Sequence, residues 1–298
     1  MNTNKREARN SIQLDSLEIT LRSMIGEGGQ GTIFSARNVA DDSSLVAKLV
    51  DTSTVLKKIN FRAEKEAVEL IKPRKLDYLC DMYEYCEKDN YGYVLMKRYN
   101  CDLFDFAVEK RGIPEELGKV LFKKMVIGLM NLHSVGVAHM EIKPENIMID
   151  IESFSPFIGD FGSCYIFKND KNCSFKRGTK QYYPPEYAYN HSFDPRKVDI
   201  YCLGVTLHAM LTGYFPYNSS EPIDQRTIHC SDKLSPQCCD LISKMLKDKP
   251  KKRISLKDVL AHPWLSTNCN TSTPLSNYKS KISRKAKDIL NLPSKIKL

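Results

Sequence analysis

The stretch "HMEIKPEN", residues 139–146, holds a histidine, two glutamates, a lysine and an asparagine around one proline. A second stretch, "IGDFGS" at residues 158–163, adds an aspartate between two glycines. Proteins use side chains of these types to hold cations, to neutralise negative charge and to move protons. These two stretches are therefore the first candidates for chemistry, and the rest of the chain decides their interpretation.

Length and composition indicate a folded protein with one large domain or two lobes. The chain has 298 residues, and single hydrophobic cores stop growing near ~250–300 residues. Its hydrophobic content of 42% and charged content of 27% are ordinary for globular proteins. No apolar run approaches the ~20 residues that a membrane-spanning helix needs, so we expect no membrane span.

The cysteines are interpreted from the N-terminus, because "MNTNKREARN" is polar and lacks the apolar stretch of a secretory signal. We therefore place the ten cysteines in a reducing compartment, cytoplasmic or nuclear. None of them has paired metal-ligand spacing. We expect burial as small hydrophobic side chains, with neither a disulfide nor a zinc site.

Positive charge is concentrated at one end of the chain. The formal net charge is +9, and seven Lys or Arg residues face one Asp after Trp264. Such a tail could bind nucleic acid, an acidic membrane or an import receptor, or it could simply be solvated. We expect a monomer that does not bind nucleic acid except through this tail.

Hydrophobic patterning predicts a β-rich start followed by a mainly helical remainder, an α+β protein. Strands are predicted for "ITLRSMIGEGGQGTIFSARNV", "SLVAKLVD" and "YGYVLMKRY", and a helix for "FRAEKEAVELIK" up to Pro73. Longer helices are predicted for "EELGKVLFKKMVIGLMNLHSVG" and for "VDIYCLGVTLHAMLTG". The last stretch is apolar on nearly every side, which is typical of a buried helix.

The stretch "GEGGQG" arranges Gly26, Gly28 and Gly31 as G-x-G-x-x-G. In a dinucleotide fold such glycines open a helix. Here the following "TIFSARNV" predicts a second strand and thus a hairpin. A glycine-rich hairpin can close over nucleotide phosphates, because no side chain blocks its backbone amides. We then expect Ile33 to lie against a base.

Lys48 lies in the apolar strand "VAKLV", where a lone charge is costly to bury without a partner. The helix predicted at residues 60–72 offers Glu64 and Glu66. Turning its apolar residues inward puts Glu64 on the same face by i+3, i+4 and i+7 spacing, so we predict Glu64 as the partner. The simpler alternative is a lysine whose head group reaches solvent.

The glycine-rich loop, "VAK", a helix with glutamates, "HMEIKPEN" and "DFG" follow one another along the chain, with "GTKQYYPPE" and "KKRISLKDVLAHPWL" downstream. With its motifs in this order, the chain resembles the eukaryotic protein kinase family over about residues 21–265. The resemblance implies a two-lobed α+β fold with a small β-rich N-lobe and a larger helical C-lobe. It implies a kinase domain at 19–265, divided into lobes of about 19–96 and 97–265. A polar leader would occupy residues 1–18 and a basic, flexible tail residues 266–298.

The resemblance also implies ATP and Mg²⁺ as ligands. Lys48 would hold phosphates while paired with Glu64, Asn146 and Asp160 would bind magnesium, and Lys143 would steady the γ-phosphate. The side chains of Ile33, Ala47 and Met148 would enclose the adenine, and Met96 would lie at the back of the pocket. The backbone of residues 97–99 would hydrogen-bond the base. The implied nucleotide-binding positions are Gly26, Gly28, Gly31, Ile33, Ala47, Lys48, Glu64, Met96, Lys97, Tyr99 and Met148.

Structural roles follow from the same resemblance. Glu186 would pair with Arg253, and Asp199 would hydrogen-bond the backbone of the catalytic loop. His139 and Phe161 match stacked positions of an apolar spine, so His139 is interpreted as a packed residue and not as an acid or base.

The chain departs from the family where His-Arg-Asp is usual, because it has His139, Met140 and Glu141. Glutamate keeps the carboxylate and nearly the pKa, ~4.3 against ~3.9, but adds one methylene. A displacement of ~1 Å can cost about 10²-fold in rate, whereas a side chain that bends back loses less. Met140 has no charge with which to clamp an activating phosphate.

We therefore expect a kinase that phosphorylates serine or threonine in proteins, with Glu141 as its base and a slow rate. The "KPEN" form of the loop and Thr179 resemble the serine/threonine branch of the family and favour that specificity. The resemblance also implies that the Thr179 hydroxyl touches the catalytic carboxylate and Lys143. The alternative is a pseudokinase that binds ATP and acts as a scaffold or allosteric regulator. A kinase-like enzyme for small molecules is a third hypothesis, which the intact "PPE" segment disfavours.

Overall fold

A computed structural model describes residues 11–28, 31–108, 111–167 and 172–266. The basic tail beyond residue 266 and most of the polar leader lie outside the described residues. The described chain forms two compact units, which we call unit 1 (residues 11–65 and 81–98) and unit 2 (residues 66–80 and 99–266). No helix in the described ranges is both long enough and apolar enough to cross a bilayer.

Unit 1 is built on a six-stranded antiparallel sheet in the order β1-β2-β3-β4-β6-β5. The strands are β1 (Ser11–Gln13), β2 (Glu18–Gly28), β3 (Gly31–Asn38), β4 (Ser44–Asp51), β5 (Met82–Lys88) and β6 (Tyr91–Lys97). Fully buried Ile19, Ala47 and Leu95 belong to its core. The sequence predicted β2, β3, β4 and β6. It missed β1, which is short, and β5, whose buried positions do not alternate.

Helix α1 (Val55–Ile71) begins earlier than the predicted residue 60. Thr54 caps its first turn, accepting a hydrogen bond from Lys57 N through its hydroxyl and one from Lys58 N through its carbonyl oxygen. The early start escaped the pattern because Val55, Leu56 and Ile59 are exposed. These apolar residues therefore do not form a stripe that faces the core, and hydrophobic spacing did not indicate the first turn of the helix.

Unit 2 is mainly helical. Its helices are α2 (Glu115–Ser134), α3 (Glu186–Tyr189), α4 (Pro195–Thr212), α5 (Pro236–Met245), α6 (Leu256–Leu260) and α7 (Pro263–Ser266). Its strands are β7 (Cys101–Asp102), β8 (Val137–Ala138), β9 (Ile147–Asp150), β10 (Ser155–Ile158) and β11 (Tyr165–Ile166), in sheets ordered β10-β9-β7 and β11-β8. The α+β class, with β-rich and helical units, is thus confirmed.

Helix α4 is the most buried helix of unit 2, as its all-round apolar sequence predicts. Asp194 caps it by accepting from Arg196 N, and Gly213 ends it with φ 80°. Nearly every residue between is buried. The helix therefore lies inside unit 2, where its side chains can hold the surrounding loops, as Asp199 does for the loop at residues 139–140.

The expectation of no disulfide was wrong, because Cys230 and Cys239 are bonded. Their Cα atoms lie 5.7 Å apart, inside the usual range for a disulfide. Ser235 caps α5 by accepting from Cys238 N, and this turn brings Cys239 back toward the loop at residue 230. Spacing alone did not signal the turn. The buried free cysteines are Cys80, Cys86, Cys164, Cys173, Cys202 and Cys238.

A buried ion pair ties the "PPE" segment to the chain before α6. The two terminal guanidinium nitrogens of Arg253, Nη1 and Nη2, donate to the two oxygens of Glu186 at 2.9 Å, and neither side chain is exposed. Arg253 also donates to the carbonyl oxygen of Lys247. The resemblance implied this pairing, and the bidentate geometry is the strong form of such a contact.

Replacing Arg253 with alanine should lower the free energy of unfolding by about 3–5 kcal/mol, because it leaves the Glu186 carboxylate buried without its cation. Lys244→Ala is the control. It breaks an exposed pair with Asp240 and should cost at most about 1 kcal/mol. Urea unfolding of both variants checks this, and equal losses would contradict the assigned importance of the buried pair.

Candidate active site

In unit 1, Lys48 is a buried cation on β4. It pairs across the sheet with Ile33 on β3 and Val94 on β6. Its Nζ lies 3.6 Å from Oε1 of Glu64 on α1, and both side chains are almost completely buried. Glu66, the other candidate, is exposed. The helical spacing thus predicted the right partner.

Tyr85 is a further member of this group that sequence reasoning missed. Its hydroxyl donates to Oε1 of Glu64 at 3.1 Å, the same oxygen that faces Lys48. Tyr85 lies on β5, where adjacent residues are buried together, so no alternation marked it as inward-facing. The added donor holds the carboxylate in place beside the lysine.

The glycine-rich stretch forms the predicted hairpin, with Gly26 opposite Ile33 and Gly28 opposite Gly31. The glycines therefore do not open a helix, and the dinucleotide-fold alternative does not apply. Gly31 has φ 136°, and a Cβ there would collide with the carbonyl oxygen of Leu49. A Cβ on Gly28, in contrast, would meet no atom of the described residues within 4 Å.

The predicted base-binding positions divide between the two units. Ala47 is fully buried on β4, and Met96 is half-buried on β6 opposite Val46. The backbone N–H of Lys97 donates to the carbonyl oxygen of Asp81 at 3.0 Å. These residues join Ile33 and Lys48 in the sheet of unit 1.

The remaining two predicted base-binding positions, Tyr99 and Met148, belong to unit 2. The ring of Tyr99 lies 4.9 Å from that of Phe157, measured between centroids. Met148 on β9 is opposite Phe157 on β10 and Asp102 on β7. Both Tyr99 and Met148 are half-buried.

Glu141 is the centre of a hydrogen-bond network in unit 2. Its Oε1 accepts from the Thr179 hydroxyl at 2.6 Å and from Lys143 Nζ at 2.9 Å. Its Oε2 accepts from the Ser163 hydroxyl at 2.7 Å. Lys143 also donates to the Thr179 hydroxyl at 2.9 Å. The sequence had indicated Thr179 as the hydroxyl that touches the carboxylate and Lys143, but it had not marked Ser163.

The charge on Glu141 is favoured in this setting. Burial raises the pKa of the carboxyl, but hydrogen bonds from Thr179, Lys143 and Ser163 outweigh it and hold the pKa below the usual range. The group is therefore ionised at neutral pH. A buried, ionised carboxylate fixed beside a lysine can accept a proton from an incoming hydroxyl.

The backbone of the loop is held by Asp199 on α4. Its carboxylate accepts from His139 N at 2.9 Å and from Met140 N at 2.7 Å. Met140 is buried and has φ 66°, a conformation unfavourable for a residue with a long side chain. The predicted contact between Asp199 and the loop backbone is present.

His139 packs in the interior, and its ring contacts the backbone of Glu141, since Nδ1 accepts from Glu141 N at 3.2 Å. Its Nε2 lies 2.8 Å from the carbonyl oxygen of Gly159, and its ring centroid is 5.7 Å from that of Phe161. Both residues are fully buried. These contacts agree with the interpretation of His139 as a structural residue.

Asn146 and Asp160 offer oxygen atoms of the kind that Mg²⁺ prefers. The Nδ2 of Asn146 donates to the carbonyl oxygen of Glu141 at 2.9 Å, which sets the direction of the amide oxygen. Asp160 has φ 53° and accepts weakly from Gly162 N at 3.4 Å. In the described ranges no group of three or more His, Cys, Asp or Glu side chains could hold a metal by itself. A magnesium ion here would need further oxygens from phosphate or water.

Comparison with known proteins identifies a family. The model of the family described as "Protein kinase domain" matches residues 19–265. Serine/threonine-protein kinase pim-2 of Danio rerio is 26% identical over 275 residues, which cover 87% of this chain and 88% of that protein. Serine/threonine-protein kinase prk-2 of Caenorhabditis elegans is 28% identical over 281 residues, covering 90% and 62%.

A third relative is the maternal embryonic leucine zipper kinase of Xenopus tropicalis. It is 28% identical over 254 residues, which cover 82% of this chain and 38% of that protein. The chain thus spans most of pim-2 but less than two thirds of prk-2 and of the leucine zipper kinase.

Gly31→Ala should destabilise the protein by about 1–3 kcal/mol, because the new methyl group meets the Leu49 carbonyl oxygen at a positive φ. Gly28→Ala is its matched control in the same hairpin. Its methyl group meets no described atom, so it should change the free energy of unfolding by at most about 1 kcal/mol. Thermal unfolding of the two variants checks the difference, and a larger loss for Gly28→Ala would refute it.

Proposed function

The chain belongs to the protein kinase family, serine/threonine type, and from this premise we propose that it transfers the γ-phosphoryl group of ATP to serine or threonine hydroxyls of proteins. The observation that carries the proposal is the buried, ionised carboxylate of Glu141, held beside Lys143 and Thr179. A carboxylate that is ionised at neutral pH and held in one position can orient a substrate hydroxyl and accept its proton.

The chemistry of the residues fits a magnesium nucleotide. Asp160 and Asn146 would hold the metal through carboxylate and amide oxygens, and the orientation of the Asn146 amide by Glu141 supports this role. Lys48 would hold phosphate oxygens, because it is a buried cation kept in place by Glu64. When bound, ATP with Mg²⁺ supplies the activated phosphoryl group.

The base would be enclosed by apolar side chains and bonded by backbone groups. The glycine hairpin would offer its amides to phosphates, which suits the absence of side chains at Gly26 and Gly28. The residues proposed for the adenine are Ile33, Ala47, Met96, Lys97, Tyr99 and Met148.

Glu141 would orient the substrate hydroxyl and take its proton. Its longer side chain does not swing free, since Thr179, Lys143 and Ser163 hold both carboxylate oxygens. Lys143 would steady the negative charge that develops on the transferred group. We expect transfer to be slower than with aspartate by up to about 10²-fold, the cost of a ~1 Å misplacement.

Met140 suggests that activity does not depend on a phosphate clamped at the loop. The side chain is buried and uncharged where the family usually has arginine. The segment downstream of Asp160 has other supports. Cys173 and Phe193 exchange backbone hydrogen bonds of 2.8 and 3.0 Å, and Arg177 donates to the carbonyl oxygen of Cys164 at 2.9 Å.

A radiolabelled-ATP assay with a generic protein substrate tests the proposal. The unaltered chain should label serine and threonine, and Asp160→Ala should abolish labelling because it removes a metal ligand. Glu141→Ala should lower the rate by about 10²–10⁴-fold, as expected for loss of a general base. Phosphoamino-acid analysis of the product identifies the acceptor.

Asp232→Ala, which removes an exposed carboxylate before α5, is the control and should leave labelling unchanged. The pseudokinase alternative makes a different prediction. If the chain binds nucleotide with Mg²⁺ but only Glu141→Asp transfers phosphate, the protein is a scaffold or allosteric regulator and the enzymatic proposal is wrong.

A further inference from the structure

We infer that Ser163 is a positioning residue that sets the carboxylate of Glu141 for proton transfer. The inference rests on the proposed function, because it assigns to Ser163 a part in the same reaction. Ser163 follows the "DFG" stretch directly and touches the carboxylate without being placed to take the proton itself.

The contact is short and buried. The Ser163 hydroxyl donates to Oε2 of Glu141 at 2.7 Å. The two residues are 7% and 6% exposed, so little water competes for the bond. Ser163 ends a 3-10 turn, Phe161–Ser163, which is closed by a hydrogen bond from Cys164 N to the carbonyl oxygen of Phe161 at 3.0 Å. The donor therefore stands on ordered backbone.

The two oxygens of Glu141 are held from different parts of the chain. Thr179 and Lys143 donate to Oε1, and Ser163 donates to Oε2. The terminal torsion of a glutamate is broad and roughly two-fold. Because the carboxylate is planar, rotation about this torsion moves both oxygens together. The donors to Oε1 and the Ser163 hydroxyl on Oε2 therefore restrain the same plane from different parts of the chain, and loss of the Ser163 bond removes one of these restraints.

The extra methylene of glutamate makes this bond necessary. Glutamate has one more side-chain torsion than aspartate, and each additional torsion must be ordered before the group can act. The backbone cannot compensate, since Asp199 holds the two preceding N–H groups and Glu141 N donates to Nδ1 of His139 at 3.2 Å. The hydroxyl at 163 and the length of the side chain at 141 are thus a matched pair.

A simpler hypothesis is that Glu141 merely satisfies the buried hydroxyl of Ser163. In that case removal of the hydroxyl would affect stability and leave the chemical step alone. The two hypotheses differ in which kinetic constant changes and in whether the effect depends on the side chain at 141.

The first experiment measures steady-state phosphorylation by Ser163→Ala and Ser163→Thr in the full chain. Ser163→Ala should lower kcat by about 10- to 100-fold, as for a misplaced catalytic group, while KM for ATP and for the protein substrate stays within about threefold. Ser163→Thr keeps the hydroxyl and should recover most of kcat. If threonine does not fit, Ser163→Gly supplies a second removal of the hydroxyl, and melting temperatures identify misfolded variants.

Ser155→Ala is the matched control. Ser155 is a serine of unit 2 that is 6% exposed, and it accepts from Lys124 Nζ at 2.7 Å away from the network. Its loss should leave kcat unchanged. Either of two results overturns the positioning role. In the first, Ser155→Ala lowers kcat as much as Ser163→Ala does. In the second, Ser163→Thr folds but does not recover kcat.

The second experiment repeats Ser163→Ala in a Glu141→Asp background. The shorter carboxylate, anchored at the same backbone position, should not depend on Ser163, so kcat should change by less than about twofold. An equal loss in both backgrounds overturns the inference. If the unaltered chain transfers phosphate and Ser163→Ala has full activity, the inference alone is wrong. If the unaltered chain transfers none, the proposed function is wrong and the inference falls with it.

Discussion

The candidate active site depends on one buried carboxylate, that of Asp199. It lies on α4, the most buried helix of unit 2, and accepts the backbone N–H groups of His139 and Met140. His133 Nε2 contacts the same side chain at 2.7 Å. Together these hydrogen bonds support a Met140 backbone with positive φ. Because these hydrogen bonds hold the backbone at residues 139 and 140, they also set the position of Glu141 and of the residues that follow it.

In each unit a buried carboxylate is stabilised in the same way, by an ammonium group and by one or more hydroxyl groups. In unit 1 the carboxylate of Glu64 meets both the Lys48 ammonium and the Tyr85 hydroxyl. In unit 2 the carboxylate of Glu141 meets an ammonium and two hydroxyls. Burying a charge is costly unless it is paired and hydrogen-bonded, and the additional hydroxyls supply the remaining bonds. They also leave each carboxylate with little freedom to move, which is what a site for phosphate chemistry needs.

Much of the fold and part of the site could be predicted because they depend on local pattern. The strands around Lys48 follow from their branched and apolar residues, and helix α4 follows from a stretch that is apolar on nearly every side. The partner of Lys48 follows from which residues share a helix face. Helix α1 and the cysteines show where pattern fails. The start of α1, which Thr54 caps, was missed because the apolar residues of its first turns are exposed. The disulfide was missed because a capped turn at Ser235 brings Cys239 close to Cys230. Both depend on backbone turns that composition does not reveal.

By itself the sequence determined the types of residue in the candidate site, their order along the chain, and the presence of a glutamate at position 141. It did so because side-chain identity and short-range spacing are local properties. Only the tertiary structure decided how the longer carboxylate is held. Ser163 and Thr179 are distant from residue 141 along the chain, and their hydroxyls meet its two oxygens only after the loops have been fixed on buried α4. Contacts of that kind arise from packing between segments, which no periodicity within one segment encodes.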